Sequence, residues 1–473
     1  MSSNHITAWT TLFGSSFNNQ STDLVIGSDG SIYISGTTRG NLNGQLNSGL
    51  DDAFVSKFNN DGEVQWTRLL GTSEDDKGNS ISIGSDGSIY IIGSTEGDLD
   101  GETNLEGGSD VFITKFNSNG IKQWTKLVGV RGSYSGTGRL GIDIANDDSI
   151  YITGNTLRDL DGEVNNGSYD TFISKFNSDG DKQWSKLLGT SYWEFGQDIS
   201  VGSDGSIYLT GSTEGDLDGE VNNGSGDIFI SKFNSDGDKE WTKLLGTSED
   251  DEGQAITIDN KGFIYVLGET RGDLDGETNT GGQDVFISQY DSSGEKQWTR
   301  LLGSKNWDYA TSLITGSDGS IYLTGFSSVN PWNDFDGQSG NYGDDVYISK
   351  FSSNGNKQWT SLLGTSETDI GNSISIGDDD SIYVTGYTEG DLNGLSNSGG
   401  NDAFLIKLAE TSSPTGISLS SSIFDENIDF EYRFDGAICF DVLEHLDPKD
   451  SEQFFEKCKS YLTKNGIFII GVP

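Results

Sequence analysis

The sequence predicts an all-β fold: a seven-bladed β-propeller of four-stranded blades, closed by an N-terminal strand and followed by a short, incomplete α/β segment. The main observation is that a Trp motif, the dipeptide Ile-Tyr and an aromatic-x-x-Lys motif each occur seven times. Successive tryptophans lie 57, 58, 60, 57, 57 and 61 residues apart. Three markers with one period indicate a repeat array.

The three markers keep one order along the whole array. The tryptophans are Trp9, Trp66, Trp124, Trp184, Trp241, Trp298 and Trp359. The tyrosines of the Ile-Tyr pairs are Tyr33, Tyr90, Tyr151, Tyr208, Tyr265, Tyr322 and Tyr383. The aromatic residues of the third marker are Phe54, Phe112, Phe172, Phe229, Phe286, Tyr347 and Phe404, and Gln289 replaces its Lys once.

The fourth repeat shows how one unit is expected to fold. Its period-two runs are Asp198–Gly202, Ser206–Gly211, Ile228–Phe233 and Glu240–Leu245. Asp-Gly turns and one longer loop at 215–227 separate these runs, as expected for antiparallel strands. Four strands in each of seven repeats predict a propeller.

The two ends of the array predict how the ring closes. The seventh repeat lacks its Trp strand after Phe404–Leu408, whereas the chain begins with such a strand at Ala8–Phe13. We expect these two segments to pair and so to cover an exposed sheet edge. The Trp strand is then the outer strand of each blade, and both long connections of a repeat lie on one face of the disc. The acidic residues of that face are Glu74, Asp75, Asp76, Asp98, Asp100, Glu102, Asp216, Asp218, Glu220, Glu249, Asp250, Asp251 and Glu252.

Composition excludes several classes of protein. The 473 residues include 29 Lys and Arg against 74 Asp and Glu, a net charge of −45. This excess argues against nucleic-acid partners and anionic membrane surfaces, because phosphate contact needs clustered cations. An aromatic content of 11% argues against disorder, and two cysteines argue against a disulfide scaffold.

No membrane insertion and no secretory signal are expected from this sequence. It has no run of 18 apolar residues, and residues 1–11 have neither a basic region nor an apolar core. The compartment is therefore unknown from the residues alone.

The motifs D-G-S-I-Y-x-x-G, D-x-F-x-x-K and W-T-x-L-x-G make residues 8–408 resemble the bacterial SBBP β-propeller repeat family. The resemblance implies a propeller over 1–408, followed by a linker at 409–425 and a separate segment at 426–473. It also favours an extracellular or cell-surface location, as in many members of that family.

The motif D-L-D-G-E is a candidate calcium site. Carboxylates two residues apart before a glycine can surround a hard cation with oxygen. A solvated Asx turn is the alternative interpretation. The candidate ligands are Asp98, Asp100, Glu102, Asp159, Asp161, Glu163, Asp216, Asp218, Glu220, Asp273, Asp275 and Glu277.

Aromatic residues outside the repeat pattern are candidate ligand contacts, with loop anchoring as the alternative. They lie in the long connections of the acidic face: Tyr192, Trp193, Trp307, Tyr309, Trp332 and Tyr342. The repeated tryptophans are instead expected to pack between blades. A Ser-His-Asp triad is not expected, because the repeat region has one histidine, His5, and no cysteine.

The segment from Phe434 onward has a different character. Strands are expected at Asp435–Phe440 and Ile467–Val472, with a helix at Pro448–Lys464 between them. The stretch Phe440–Leu446 resembles the class I SAM-dependent methyltransferases, which implies that Asp441, Glu444 and His445 border a cofactor pocket. The glycine-rich cofactor loop of that family has no counterpart here, so we expect an incomplete domain, from a gene fusion or a gene-assembly product. A small structural cap is the alternative interpretation.

These observations favour a non-enzymatic binding or scaffold propeller. Its acidic face would recognise a protein or glycan ligand, with calcium as a candidate ion and no further cofactor. The alternative is a truncated SAM-dependent methyltransferase that carries a propeller for recruitment.

Overall fold

The computed structural model describes residues 5–104, 108–129, 139–329, 334–410, 434–439 and 462–470. The chain divides into two compact units, Met1–Thr411 and Ser412–Pro473. The first unit contains seven four-stranded antiparallel sheets, and no helix occurs among the residues listed above. The predicted seven-bladed propeller is therefore confirmed.

Each blade runs from an inner strand through a second and a third strand to an outer strand. The inner strands are Asn19–Ile26, Asp76–Ile83, Gly141–Ile144, Glu194–Val201, Asp251–Ile258, Asp308–Thr315 and Asp369–Ile376. The second strands are Ile32–Thr38, Ile89–Thr95, Ile150–Thr156, Ile207–Thr213, Ile264–Thr270, Ile321–Ser327 and Ile382–Thr388. The third strands are Asp52–Phe58, Asp110–Phe116, Asp170–Phe176, Asp227–Phe233, Asp284–Tyr290, Asp345–Phe351 and Asp402–Glu410. The outer strands are Val64–Leu70, Lys122–Leu127, Lys182–Leu188, Lys239–Leu245, Lys296–Leu302, Lys357–Leu363 and, from the N-terminus, His5–Phe13.

The N-terminal strand closes the ring as predicted. His5–Phe13 is antiparallel to Asp402–Glu410 and forms the outer edge of blade 7, with Leu12 opposite Phe404. Phe13 is buried, and its ring lies 5.0 Å from the ring of Phe58 in blade 1. The closing strand therefore belongs to blade 7 by hydrogen bonding and contacts blade 1 by packing.

The three repeat markers lie side by side within each blade. In blade 1, Tyr33 of the second strand is opposite Lys57 of the third, which is opposite Trp66 of the outer strand. Lys57 Nζ lies 5.1 Å from the centroid of the Tyr33 ring, a cation–π contact. In blade 5 the exceptional Gln289 donates instead to the Tyr265 hydroxyl at 2.7 Å. The three markers that repeat along the sequence therefore form one row of neighbouring side chains across three strands of a blade.

The repeated tryptophans pack between blades, as expected. Trp66 Nε1 donates to the carbonyl of Ser118 in the next blade at 3.4 Å. A Cβ atom on Gly120 would lie 2.8 Å from the Trp66 ring. This glycine also has a φ of 71°, so the turn needs it for both its conformation and its closeness to the indole.

Most strand boundaries shift by one to three residues from the prediction, and two differ by more. The inner strand of blade 4 begins at Glu194 rather than Asp198. A register shift between Gly196 and Asp198 interrupts the period-two alternation, so the sequence pattern did not include the residues before it. In the second unit, Phe434–Cys439 and Leu462–Ile470 are parallel strands. The strand Leu462–Ile470 therefore includes the last three residues of the helix predicted at Pro448–Lys464. The other residues of that predicted helix lie outside the described residues.

Blade 6 also carries a small hairpin of two short strands, Asp334–Phe335 and Gln338–Ser339, in its long loop.

Candidate functional site

The D-L-D-G-E loops form tight hairpins. In blade 4, Leu217 and Glu220 make an antiparallel bridge, and Asp218 and Gly219 have φ angles of 55° and 89°. A type I′ turn needs positive φ at both central residues, which explains the Asp-Gly pair. Blades 2, 3 and 5 have the same bridge and the same pair of positive φ angles.

The carboxylates of these hairpins have protein partners. The first Asp accepts a backbone N–H at 2.9–3.0 Å: Asp98 from Asn104, Asp159 from Asn165, Asp216 from Asn222 and Asp273 from Asn279. The second Asp accepts from a lysine and a hydroxyl of the outer strand: Asp100 from Lys122 and Thr125, Asp161 from Lys182 and Ser185, Asp218 from Lys239 and Thr242, Asp275 from Lys296 and Thr299. The Glu lies 3.0–3.5 Å from a basic side chain: Glu102 from Lys126, Glu163 from Lys186, Glu220 from Lys243, Glu277 from Arg300.

The three carboxylates of a hairpin are thus directed to three different sets of donors. Among the described residues, no group of three or more His, Cys, Asp or Glu side chains is arranged to hold a metal ion. Calcium binding by these loops stays a prediction, and an ion would have to compete with the lysines.

The long connections lie on one face, because antiparallel strands return to the same end of a blade. Asp76 and Asp251 were expected on the acidic surface, but both are fully buried at the start of an inner strand. Their neighbours in the same loops remain partly or fully exposed.

Two aromatic clusters occupy equivalent positions where long connections meet the inner strands of blades 4 and 6; Tyr309, expected in the connection, lies in the inner strand Asp308–Thr315. Trp193 packs edge-on against Tyr169 and Phe195, with ring centroids 6.3 and 5.8 Å apart. Trp307 stacks on Tyr309 at 6.4 Å, and the guanidinium of Arg271 lies 5.0 Å from its ring. The tryptophans of both clusters are nevertheless exposed, at 46% and 43%.

The remaining predicted contacts are placed as follows. Tyr192 and Tyr342 are exposed, at 57% and 54%. Trp332 lies outside the described residues, as do the methyltransferase-like positions Asp441, Glu444 and His445.

A polar cavity of about 290 Å³ lies between the inner strands. Six inner strands carry a bulge, and the extra residue of each bulge lines this central cavity: Thr22, Asn79, Gln197, Gln254, Thr311 and Asn372. A bulge turns one side chain away from the regular alternation. The ring of bulges therefore gives the propeller a channel with a polar wall.

Arg139 enters this channel at the start of blade 3. Its guanidinium NH1 donates across the ring to the carbonyl of Thr311 at 2.6 Å. Burial lowers the pKa of Arg139, and the carboxylates of Glu269, Asp198 and Asp23 oppose that shift. The Arg139 guanidinium is thus a buried cation with carboxylates nearby.

Carboxylates of the inner strands, Asp198 in the channel and Asp143 beside it in blade 3, join neighbouring blades. Asp198 accepts the N–H of Ile256 in blade 5 at 2.9 Å, and Asp143 accepts that of Val201 in blade 4 at 2.8 Å. Burial raises the pKa of Asp198 to about 7 and that of Asp143 to about 6. A buried carboxylate is costly to ionise, so both groups titrate near neutrality.

A second cavity of about 320 Å³ opens between blades 5 and 6 and shares Arg139, Gln254 and Thr311 with the channel. Glu269 lines it and accepts from Ala310 N at 2.8 Å and from Gln254 Nε2 at 2.9 Å. Burial raises the pKa of Glu269 to about 8. We call this cavity the channel mouth; its other lining side chains include Glu252, Arg271, Gln283, Trp307, Tyr309 and Phe326.

Sequence reasoning found Trp307 and Tyr309 but missed Arg139, Asp198 and Glu269. The sequence does mark such residues, because each stands at a repeat position where the residue type differs between blades. Where Glu269 stands in blade 5, the equivalent residues of blades 1, 2 and 4 are Thr37, Ser94 and Ser212. A blade-by-blade alignment would have marked such a residue.

The fold and this site define a β-propeller with a lined central channel. The β-propeller repeat family SBBP matches residues 65–100, 240–275 and 358–393. Each match begins in the outer strand of one blade and ends in the hairpin of the next, so the sequence repeat is offset from the structural blade. These three segments are SBBP-type β-propeller repeats, and all of them lie in the first unit.

Two relatives and one solved structure illustrate the range of similar proteins. The chain is 26% identical over 259 residues to regulatory protein FlaEY of Caulobacter vibrioides, and this covers 47% of the chain and 26% of FlaEY. It is 24% identical over 201 residues to an uncharacterized WD repeat-containing protein of Acanthamoeba polyphaga mimivirus, over 35% of the chain and 14% of that protein. A virginiamycin B lyase from Staphylococcus aureus is 14% identical, with a TM-score of 0.45 over 85% of this chain and 99% of the lyase. The matches thus span small parts of the two curated relatives.

Within the described part of the chain, no helix has the length and apolar character needed to cross a membrane.

Proposed function

We propose that the propeller is a non-catalytic binding module and that it recognises its ligand at the channel mouth. The observation that carries this proposal is the concentration of non-repeated side chains around one cavity of about 320 Å³. Charged, amide and aromatic groups meet there. Concave sites with a few convergent polar groups are the usual form of a binding site.

The carboxylates near the cavity support binding rather than catalysis. Glu269 and Asp198 each accept backbone N–H groups from the next blade, so they hold the walls of the site in place. Arg271 and Glu252 bring opposite charges to the mouth.

A segment of a partner protein fits this chemistry best. Trp307 is already in contact with Arg271 and Tyr309, which reduces the ring surface open to a sugar. Arg271 forms an ion pair with Asp250, which an acidic side chain of a peptide could join, and a basic side chain could pair with Glu252. A glycan is the second candidate, favoured by the exposed rings of Tyr192, Trp193 and Tyr342, which lie outside the channel mouth and would form a separate site.

The test is a screen of the full chain against peptide and glycan arrays, followed by variants. Arg271→Ala with Trp307→Ala should abolish binding of a peptide hit. Arg39→Ala is the matched control, because Arg39 holds the equivalent position in blade 1 and lies 3.4 Å from Asp51. A ligand that binds the double variant as well as the parent would show that the channel mouth is not the recognition site.

A further inference from the structure

The residue that follows the second strand differs in charge between blades 4 and 5. It is Glu214 in blade 4 and Arg271 in blade 5. Glu214 N donates to the carbonyl of Trp193 at 3.0 Å, and Trp193 is the residue just before the inner strand of that blade. Arg271 N donates in the same way to the carbonyl of Asp250 at 3.2 Å. The two side chains therefore start from equivalent places in neighbouring blades.

In blade 5 this position carries a cation between an acid and an aromatic ring. Arg271 forms an ion pair with Asp250, and its guanidinium lies 5.0 Å from the centroid of the Trp307 ring. Trp307 belongs to the connection that leads into blade 6, so the cation joins two neighbouring connections. The quadrupole of the indole attracts a cation over its face, and the carboxylate adds direct charge attraction. The protein thus fills this place with its own arginine.

In blade 4 the equivalent place has acids and a ring but no cation from the protein. Partial burial raises the pKa of Glu214, and the negative charges of Asp250 and Glu194 raise it further. Within the described part of the chain, no side chain pairs with the Glu214 carboxylate. Glu214 therefore faces the charge of Asp250 without a basic partner of its own.

Two exposed aromatic rings belong to the connection beside Glu214. Trp193 meets two aromatic neighbours at 6.3 and 5.8 Å, yet it stays 46% exposed. Tyr192 is 57% exposed and lies against Gly215, where a Cβ atom would be 3.1 Å from the tyrosine ring. Adjacent exposed aromatic side chains are typical of interaction surfaces. We call Tyr192, Trp193 and Glu214 the blade 4 site.

Other blades with an acid at this position lack the rings. Glu389 of blade 7 donates its N–H to the carbonyl of Thr368 at 2.9 Å, and Glu96 of blade 2 donates to Asp75 at 3.0 Å. The connections into these blades read Thr-Ser-Glu-Thr-Asp and Thr-Ser-Glu-Asp-Asp, without an aromatic residue. Of these three blades, blade 4 is therefore the one that combines the acid with exposed aromatic rings.

We propose that the blade 4 site binds the side chain of a lysine or arginine in the partner segment that docks at the channel mouth, an inference that rests on the proposed function. The cation would lie between Glu214 and the exposed rings, as Arg271 lies between Asp250 and Trp307. It would also offset the repulsion between Glu214 and Asp250, which a neutral glycan would leave in place. Asp250 connects the two places, because it pairs with Arg271 of the channel mouth and lies close to Glu214.

The first experiment uses a probe that needs no known partner. The full chain is labelled with fluorotryptophan and titrated with Nα-acetyl-arginine amide in fluorine NMR, and Trp193→Phe assigns the Trp193 signal. We expect a saturable shift of that signal, and none with Nα-acetyl-citrulline amide, which has the same shape without the charge. Glu214→Gln should weaken binding about two- to fivefold, the range of an exposed ion pair. Glu389→Gln is the matched control, because it removes the same charge from the same position of blade 7, and it should change nothing.

The second experiment uses a peptide selected by the array. Replacing one of its lysines or arginines by methionine should weaken binding to the parent by the same about two- to fivefold and make no further difference in Glu214→Gln. A peptide that needs Arg271 and Trp307 but binds Glu214→Gln as tightly as the parent would overturn this inference and leave the proposed function standing.

The probe also separates the two proposals in the opposite direction. A Trp193 signal that moves with the arginine compound, in the absence of any peptide hit, would support the cation site and count against the proposed function. A Trp193 signal that moves equally with the citrulline compound, or with a neutral glycan instead of the arginine compound, would show that the blade 4 site does not select a cation.

Discussion

Single glycines decide how closely the outer and third strands of a blade approach each other at one end. The glycine that follows an outer strand lies against the buried Asp of the third strand, as Gly246 does against Asp227. A side chain there must displace a carboxylate that has no room to move. We expect Gly246→Ala to lower the free energy of unfolding by about 1–3 kcal/mol, the usual cost of overpacking, measured by urea denaturation.

Gly226→Ala is the matched control at the same junction. Its Cβ atom would meet nothing closer than 3.9 Å, and its φ is not positive. Equal losses in the two variants would contradict the steric explanation.

Asp198 makes the stability of the propeller depend on pH. Its pKa is about 7, raised by burial and, to a smaller extent, by Asp23 and Asp143, while Arg139 lies in the same cavity. The unfolded chain releases this proton near pH 4, and the folded chain keeps it until about pH 7. Between these values the folded state binds the extra proton, so stability falls as the pH rises.

We therefore expect Asp198→Asn to flatten the decline of unfolding free energy between about pH 4 and 7. The variant should regain up to about 4 kcal/mol relative to the parent across this window, less whatever the altered hydrogen bonds cost. Denaturant titrations at several pH values measure the slope. Parallel curves for variant and parent would show that Asp198 titrates normally.

The hairpin after each second strand depends on its backbone conformation. Asp218 has a φ of 55° and also accepts from Lys239 and Thr242 of the outer strand. A β-branched residue is strained at positive φ, so Asp218→Val should lower the free energy of unfolding by about 1–2 kcal/mol.

Asp218→Gly separates the turn from the ion pair. Glycine keeps the conformation and loses the contacts, and an exposed pair contributes roughly 0.2–1 kcal/mol. If Asp218→Gly is as unstable as Asp218→Val under the same denaturant assay, the contacts rather than the φ angle hold the hairpin.

At the scale of the whole molecule, closure depends on the first strand. Deleting residues 1–14 removes one of 28 blade strands, exposes the edge of Asp402–Glu410 and removes Phe13 from the blade 1 core. We expect Tm to fall by several degrees in differential scanning calorimetry. Deleting residues 1–4 leaves the strand His5–Phe13 intact and should have little effect. An unchanged Tm for the longer deletion would contradict closure by this strand.

The second unit should be separable from the propeller. The predicted linker began at Ala409, but Ala409 and Glu410 belong to the strand Asp402–Glu410. Mild proteolysis is therefore expected to cut between Thr411 and Asp425 and to leave a folded fragment, because that segment has a linker composition. The full chain should give no heat of binding with SAM, since the sequence has no glycine-rich cofactor loop in front of the methyltransferase-like stretch. Micromolar SAM affinity would favour the alternative function of a methyltransferase.

The repeat markers made the propeller predictable, including its blade number, closure and strand order. Each marker is a local pattern, and its side chains meet within a single blade, as Tyr33, Lys57 and Trp66 do. The turn chemistry was equally visible, because Asp-Gly pairs mark positive φ angles. Trp307 and Tyr309 were found for a similar reason, as aromatic residues that break the repeat.

The rest of the site depends on contacts between blades. Nothing local to Arg139 shows that it reaches Thr311 on the far side of the ring, or that Glu269 supports Ala310. The same limit applies to acidic residues: Asp98 and Asp251 look alike in sequence, yet one caps an exposed loop and the other is fully buried at the start of an inner strand.

The sequence by itself thus determined the repeat, the four strands of each blade, the tight turns and the closing strand, because these follow from periodicity and backbone propensity within about sixty residues. Only the tertiary structure decided which side chains line the channel and which carboxylates are buried at the junctions. Those properties arise when seven similar blades close into a ring. Closure brings together residues that are far apart in the chain, and their burial and charge are set by the neighbours they meet there.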